Sequence, residues 1–155
     1  MNPTPPAPLL DEETAVRLRI AVARLSRALR PTSAGQAVGL TPTRASVLLT
    51  IVREEQIGLS ALAARESLNP TMLSRAISAL VDAGLVARVS NDEDRRAAYV
   101  KSTAAGRKLA ERMRRERTAA INHGLEGLSE DERRALELAL PALEGLAEKL
   151  RDGQS

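Results

Sequence analysis

The stretch from Ser60 to Thr103, SALAARESLNPTMLSRAISALVDAGLVARVSNDEDRRAAYVKST, limits what this chain can fold into more than any other. Ser60 stands where a helix N-cap belongs, and Ala61-Leu62-Ala63-Ala64-Arg65-Glu66 are strong helix formers, which predicts about two turns of helix. Ser67-Leu68-Asn69 breaks that helix and Asn69-Pro70 starts another. Asn is a favoured N-cap, and Pro suits the first helical position because its missing N–H would have no partner there. Two helices joined by so short a turn must cross steeply.

The second helix divides into two faces. Leu73, Ile77, Leu80 and Val81 repeat at i, i+4, i+7 and i+8 and form one buried stripe. Thr71, Ser74, Arg75 and Ser78 repeat on the opposite side, a narrow surface rich in hydroxyls with one long donor. Such a face suits the major groove of DNA, where Ser and Thr serve phosphates or base edges and Arg pairs bidentately with guanine. The same residue types also suit an ordinary solvated helix face.

Gly84 follows at a position that calls for a left-handed residue, and Leu85-Val86-Ala87-Arg88-Val89 begins a strand. Ser90 to Ala97 supplies a charged hairpin loop and Ala98-Tyr99-Val100-Lys101-Ser102 returns. The acids of the loop nearly cancel Arg95 and Arg96, so the side chains that reach its tip decide what it contacts. An Arg there suits a narrow minor groove, and Asp94 is placed to hold a neighbouring guanidinium. A solvated turn of mixed charge is the plainer alternative. Together these elements describe a helix-turn-helix followed by a β-wing.

LTPTRASVLLTI (Leu40 to Ile51), LSALAARESLNPTMLSRAISALVDAGLV (Leu59 to Val86) and above all DRRAAYVKSTAAGRKL (Asp94 to Leu109) resemble the MarR family of winged helix-turn-helix transcription regulators. The last segment resembles that family's wing signature: an Asp-x-Arg, a strand, a Thr that opens the next helix and a Gly three residues later. Here these are Asp94, Arg96, Thr103 and Gly106. Ala97 stands where Gly is common and Ser102 where an apolar residue is usual, so a less regular wing turn and return strand are expected. The resemblance covers the middle half of the chain closely and the flanks only in architecture. It implies dimerisation through the terminal helices. It also implies a small effector, often an aromatic or phenolic acid, in a crevice between those helices and the winged domain; the sequence names no residue lining it.

The remaining composition is consistent with this outline. With 43% hydrophobic and 28% charged residues the chain is globular rather than disordered. Aromatics are 1%, so the core must be built from Leu, Ala, Val and Ile, a bias toward helices. A net charge of +3 only hints at a polyanion, but its distribution is more telling: Ser60 to Thr118 holds twelve Lys or Arg against seven Asp or Glu, whereas Ala119 to Ser155 holds four against eight. The absence of cysteine excludes disulfides, thiolate chemistry and Cys-based zinc sites. No stretch has the length and apolarity of a membrane span, and MNPTPPAPLL lacks the regions of a secretory signal, so a cytoplasmic location is expected.

Residues 1–10 read as a Pro-rich arm. Asp11-Glu12-Glu13 caps a helix running to about Arg30, with Leu18, Val22, Leu25 and Leu29 as its seam and Pro31 as its stop. Thr32 to Gly39 reads as a small-residue linker. Thr41-Pro42 caps a helix ending near Glu55, with Ala45, Leu48, Leu49 and Val52 inward, and Ile57-Gly58-Leu59 reads as a short strand beside the wing. After Thr103 a long helix runs through Leu109, Met113, Ala120 and Ile121 and is loosened at Gly124 and Gly127. Ser129 and Glu132 then form a capping box opening a last helix, with a stripe of Leu136, Leu140, Leu143, Leu146 and Leu150 and an expected kink at Pro141. The terminal helices carry more Leu and Ala surface than a small winged domain can cover, and a second copy is the economical cover.

The expected architecture is therefore mainly α with a small β-wing. It comprises a winged helix-turn-helix DNA-binding domain over 40–102, an N-terminal helix over 11–31, and C-terminal helices over 103–151, the flanks forming a dimerisation domain. No enzyme chemistry is foreseen: His123 is the only histidine, no second ligand accompanies it for a metal set or triad, and no Gly-rich loop cradles a nucleotide. No cofactor or metal is expected. The expected partners are double-stranded DNA, a second copy of the chain, and an aromatic or phenolic effector, with no membrane. The expected sites are Pro70, Thr71, Ser74, Arg75 and Ser78 on the groove-facing helix, and Arg95 and Arg96 on the wing with Asp94 in support. The function expected is a sequence-specific repressor of a near-palindromic operator. A winged module that binds protein instead of DNA is the alternative.

Overall fold

The computed structural model describes residues 10–90 and 98–152. Among the described residues ten elements follow in order: α1 (Glu12–Leu29), α2 (Ser33–Ala37), α3 (Pro42–Glu54), β1 (Gln56–Gly58), α4 (Leu59–Glu66), α5 (Pro70–Asp82), β2 (Val86–Ser90), β3 (Ala98–Ser102), α6 (Ala104–Glu126) and α7 (Glu130–Asp152). Mostly helical with one small antiparallel sheet, this is the architecture expected from the residues. Among the described residues no helix is long and apolar enough to cross a membrane.

The caps explain where the helices start. Asp11 accepts from the Thr14 N–H at 2.8 Å, Thr41 from Arg44 at 3.3 Å, Asn69 from Met72 at 2.9 Å and Thr103 from Gly106 at 3.0 Å. Pro42 and Pro70 follow their caps inside the first turn. At α7 the capping box closes in both directions: Glu132 N–H donates to Ser129 Oγ at 3.2 Å, and the Glu132 carboxylate accepts from Ser129 N–H at 2.8 Å. Pro141 lies within α7, and the helix continues past it to Asp152.

α4 departs from expectation. It begins at Leu59 with Gly58 as N-cap and without a side-chain cap, so Ser60 lies inside the helix. β1 passes straight into α4, and the pairing of Gly58 with Tyr99 fixes the start that a hydroxyl would otherwise set. Nor is Thr32 to Gly39 merely a linker. Ser33–Ala37 forms α2, with Thr32 buried as its cap and accepting from Gly35 N–H at 3.2 Å. Glu116 of α6 seals its start, accepting from Ser33 Oγ at 3.0 Å and from Ala34 N–H at 3.1 Å. A helix of one turn shows no periodicity in sequence, and this one depends on a partner far along the chain.

The sheet order is β1-β3-β2, all antiparallel. Ile57 lies opposite Val100, and Val86 opposite Ser102, so the return strand pairs regularly to its end despite Ser102. α3 runs through the middle, burying Val47, Leu48 and Ile51 against Leu62, Ile77, Leu80 and Val100. Leu109 and Met113 of α6 close the same cluster. Ala120 and Ile121, further along α6, are exposed. α1 buries none of its residues within one copy, and only Leu18 and Leu29 of its seam are half-buried.

Candidate nucleic-acid interface

The core fixes the orientation of α5. Leu73, Ala76, Ile77 and Leu80 are buried, so the helix cannot turn about its axis without exposing all four. Pro70, Thr71, Ser74, Arg75 and Ser78 consequently face outward, and all five are exposed. Among the described residues no carboxylate forms an ion pair with Arg75. The turn before α5 is tight: Ser67 adopts φ 51 and ψ 42, and Leu68 N–H returns to Ala63 O at 3.0 Å. Asn69 then caps the first turn of α5, whose Pro70, Thr71 and Met72 are exposed.

A further arginine joins this face that the sequence did not single out. Arg88 of β2 donates from Nη2 to Ser78 Oγ at 3.4 Å, bringing a second guanidinium beside the helix. Strand alternation places Arg88 on the same sheet face as buried Val86, directly across from Val100. By parity it shares the face of these buried residues, yet it is exposed and its guanidinium reaches Ser78 on the outward side of α5. A charged residue at an inward-parity position was the available signal.

Asp94, Arg95 and Arg96 fall within 91–97, outside the described residues. The strands on either side are described, and their pairing runs from Val86 with Ser102 to Ser90 with Ala98. At the base of this hairpin Thr103 ties three elements together. Its hydroxyl donates to Gly84 O at 2.7 Å and accepts from Gly106 N–H, while its own N–H donates to Leu85 O at 3.1 Å. Gly84 takes φ +69, the left-handed value its place after α5 requires. Thr103 and Gly106 therefore hold the α5–β2 junction that aims both helix and hairpin.

A second feature lies away from this face. A cavity of about 520 Å³ opens between the end of α1, α3, the end of α4 and α6, lined by residues including Leu29, Arg30, Leu49, Glu66 and Arg117. Glu66 accepts from Thr50 Oγ1 at 2.6 Å. Arg117 Nε is buried with no hydrogen-bond partner among the described residues, a donor that costs free energy until something accepts from it. Among the described residues there is no cluster of His, Cys, Asp or Glu able to hold a metal ion.

Comparison with known proteins matches residues 40–98 to the MarR family. A protein of Mycobacterium tuberculosis described as an HTH-type transcriptional regulator is 32% identical over 139 residues, covering 90% of this chain and 96% of its own. Among solved structures, wild-type MarR of E. coli without ligand aligns with a TM-score of 0.72 at 22% identity, over 88% of this chain and 98% of that one. FabT of Streptococcus pneumoniae, solved in complex with DNA, aligns at 0.62 and 19% identity, over 89% and 94%. NadR in complex with 4-hydroxyphenylacetate aligns at 0.62 and 22%, over 88% and 97%. At these identities the structural matches establish the fold.

Proposed function

The chain belongs to the MarR family of transcription regulators, and from that premise we propose that it is a homodimeric repressor of a near-palindromic operator, released by a small aromatic or phenolic acid. The observation that carries this reading is the division of α5 into a locked apolar side and an exposed side bearing Thr71, Ser74, Arg75 and Ser78. On this reading Arg75 reads a base edge, Pro70 sets the start of the helix, and Ser78 with Arg88 holds a phosphate. Arg95 and Arg96, supported by Asp94, are the wing contacts. The DNA complex of FabT, on the same fold, lends this mode support.

Pairing through the segments 11–31 and 103–151 is supported by what they leave uncovered. Val22 and Leu25 of α1, Ile121 of α6, and Leu136, Leu140, Leu146 and Leu150 of α7 are all exposed in a single copy. Burying such surface is worth about 25 cal/mol for each Å² removed from water, and an isologous dimer covers both copies at once. Two-fold pairing then sets two α5 helices about one DNA turn apart across the domains 40–102.

Effector binding is supported by the cavity beside Arg117. Its volume suits a small aromatic acid, and a carboxylate there would satisfy the orphaned Nε while Leu29 and Leu49 face the ring. Such a ligand releases DNA only by favouring a dimer geometry that DNA does not. Titrating the purified protein with random and selected duplexes over a range of salt, with its mass measured in parallel, tests the reading. A monomer that ignores duplex DNA at low salt would overturn it.

A further inference from the structure

Between Leu40 and Thr103, the large apolar residues of the described chain are buried or half-buried, with one exception: Met72 is 48% exposed. The exposed leucines and valines of α1 and α7 belong to faces that a second copy covers on the reading above, but Met72 sits on none of these. It is the third residue of α5, its N–H held by Asn69 Oδ1 at 2.9 Å. One helical turn separates it from Arg75, so its side chain forms the edge of the face that carries Thr71 and Arg75. The first turn of a recognition helix is the part that reaches deepest toward base edges. An unbranched thioether is the apolar side chain best able to adapt to a small protruding group.

We propose that Met72 is a specificity residue that recognises the C5-methyl group of thymine in the major groove. The inference rests on the DNA-reading role of α5 and adds to it an apolar contact beside the polar ones. The thymine methyl is the one apolar mark on the major-groove edges of the four bases, and apolar side chains read it by excluding water from both surfaces. Arg75 and Met72, one turn apart, would then report a guanine and a thymine at neighbouring positions of each half-site.

Replacing thymine by deoxyuridine, one position at a time in a duplex selected for tight binding, removes the methyl and leaves the hydrogen-bonding edge intact. The wild-type protein is expected to lose about fourfold in affinity at one position in each half-site, the value of burying one further carbon group. Met72→Ala is expected to bind thymine and deoxyuridine equally at that position, and Met72→Leu to keep the preference. Because the side chain is exposed, both variants should melt like the wild type. Unchanged discrimination in Met72→Ala, its loss in Thr71→Ser instead, or wild-type indifference to every replacement would overturn the proposal. So would a shift of Met72→Ala toward monomer, which would place the residue between copies. Failure of the wild type to bind any duplex would overturn the DNA-reading role, and this proposal with it.

Discussion

Gly106 approaches the Leu85 carbonyl oxygen so closely that a Cβ at this position would overlap it. The contact arises because Thr103 bonds to both Gly84 and Leu85 and draws the first turn of α6 onto the end of α5. The obstacle is backbone, which cannot swing aside as a side chain would. Ala for Gly in a helix ordinarily stabilises by up to about 1 kcal/mol. Gly106→Ala is expected to reverse that sign and destabilise by about 1–3 kcal/mol, as overpacking does. Urea unfolding at fixed protein concentration measures it.

Arg75 and Arg96 should differ in kind. Arg75→Ala is expected to lose about 1–3 kcal/mol of binding and to relax preference at one base pair. Arg96→Ala is expected to weaken binding to all sequences and lower the salt slope by about one. Arg88→Ala should behave like Arg96→Ala, since Arg88 meets the helix through Ser78. Gel-shift titrations at several salt concentrations separate these outcomes.

Leu25 and Leu140 are 62% and 52% exposed in a single copy. Leu25→Asp combined with Leu140→Asp is expected to yield a folded monomer that binds the full operator about a hundredfold more weakly, because the second half-site no longer benefits from linkage to the first. Sedimentation and far-ultraviolet circular dichroism check the two parts. A dimer that survives both changes would place the interface elsewhere.

If the cavity takes the proposed effector, it should bind a carboxylate more tightly than the corresponding neutral amide, and Arg117→Gln should abolish that difference while leaving DNA affinity without ligand near the wild-type value. Calorimetric titration with 4-hydroxyphenylacetate as the probe, against its amide, measures the difference. Equal binding of the two by the wild type would remove Arg117 from the anchoring role.

Hydrogen bonds from Thr14 to Asp11, and from Ser129 to Glu132, hold both carboxyls below their ordinary values, led in each case by the backbone N–H donor. A native value lowered in this way contributes stability that is complete above the ordinary carboxylate range. That contribution is lost as pH falls through the lowered native value. Acidification should therefore loosen the starts of α1 and α7. Glu132→Gln keeps an acceptor for the cap but cannot titrate there, so it should flatten the acid limb of a melting-temperature profile.

The starts of α1, α3, α5, α6 and α7 were legible because each carries its own cap, and a side chain reaching three residues along its own backbone leaves a local signature. The two faces of α5 were legible for a similar reason: thirteen helical residues suffice for a 3.6-residue period to separate Leu73 and Ile77 from Thr71 and Arg75. What local pattern cannot carry is contact between segments remote in sequence. α2 exists because Glu116 of α6 accepts from Ser33 and Ala34, and α4 starts at Leu59 because β1 pairs with β3. Arg88 stands beside Ser78 because β2 packs against α5, and Arg117 lines a cavity because four helices leave a gap around it. The chain by itself determined its helices, its turn and the polarity of α5. Only tertiary packing decided which arginines stand beside that helix and where a void remains, since those depend on distances between elements and not on the order of residues within one.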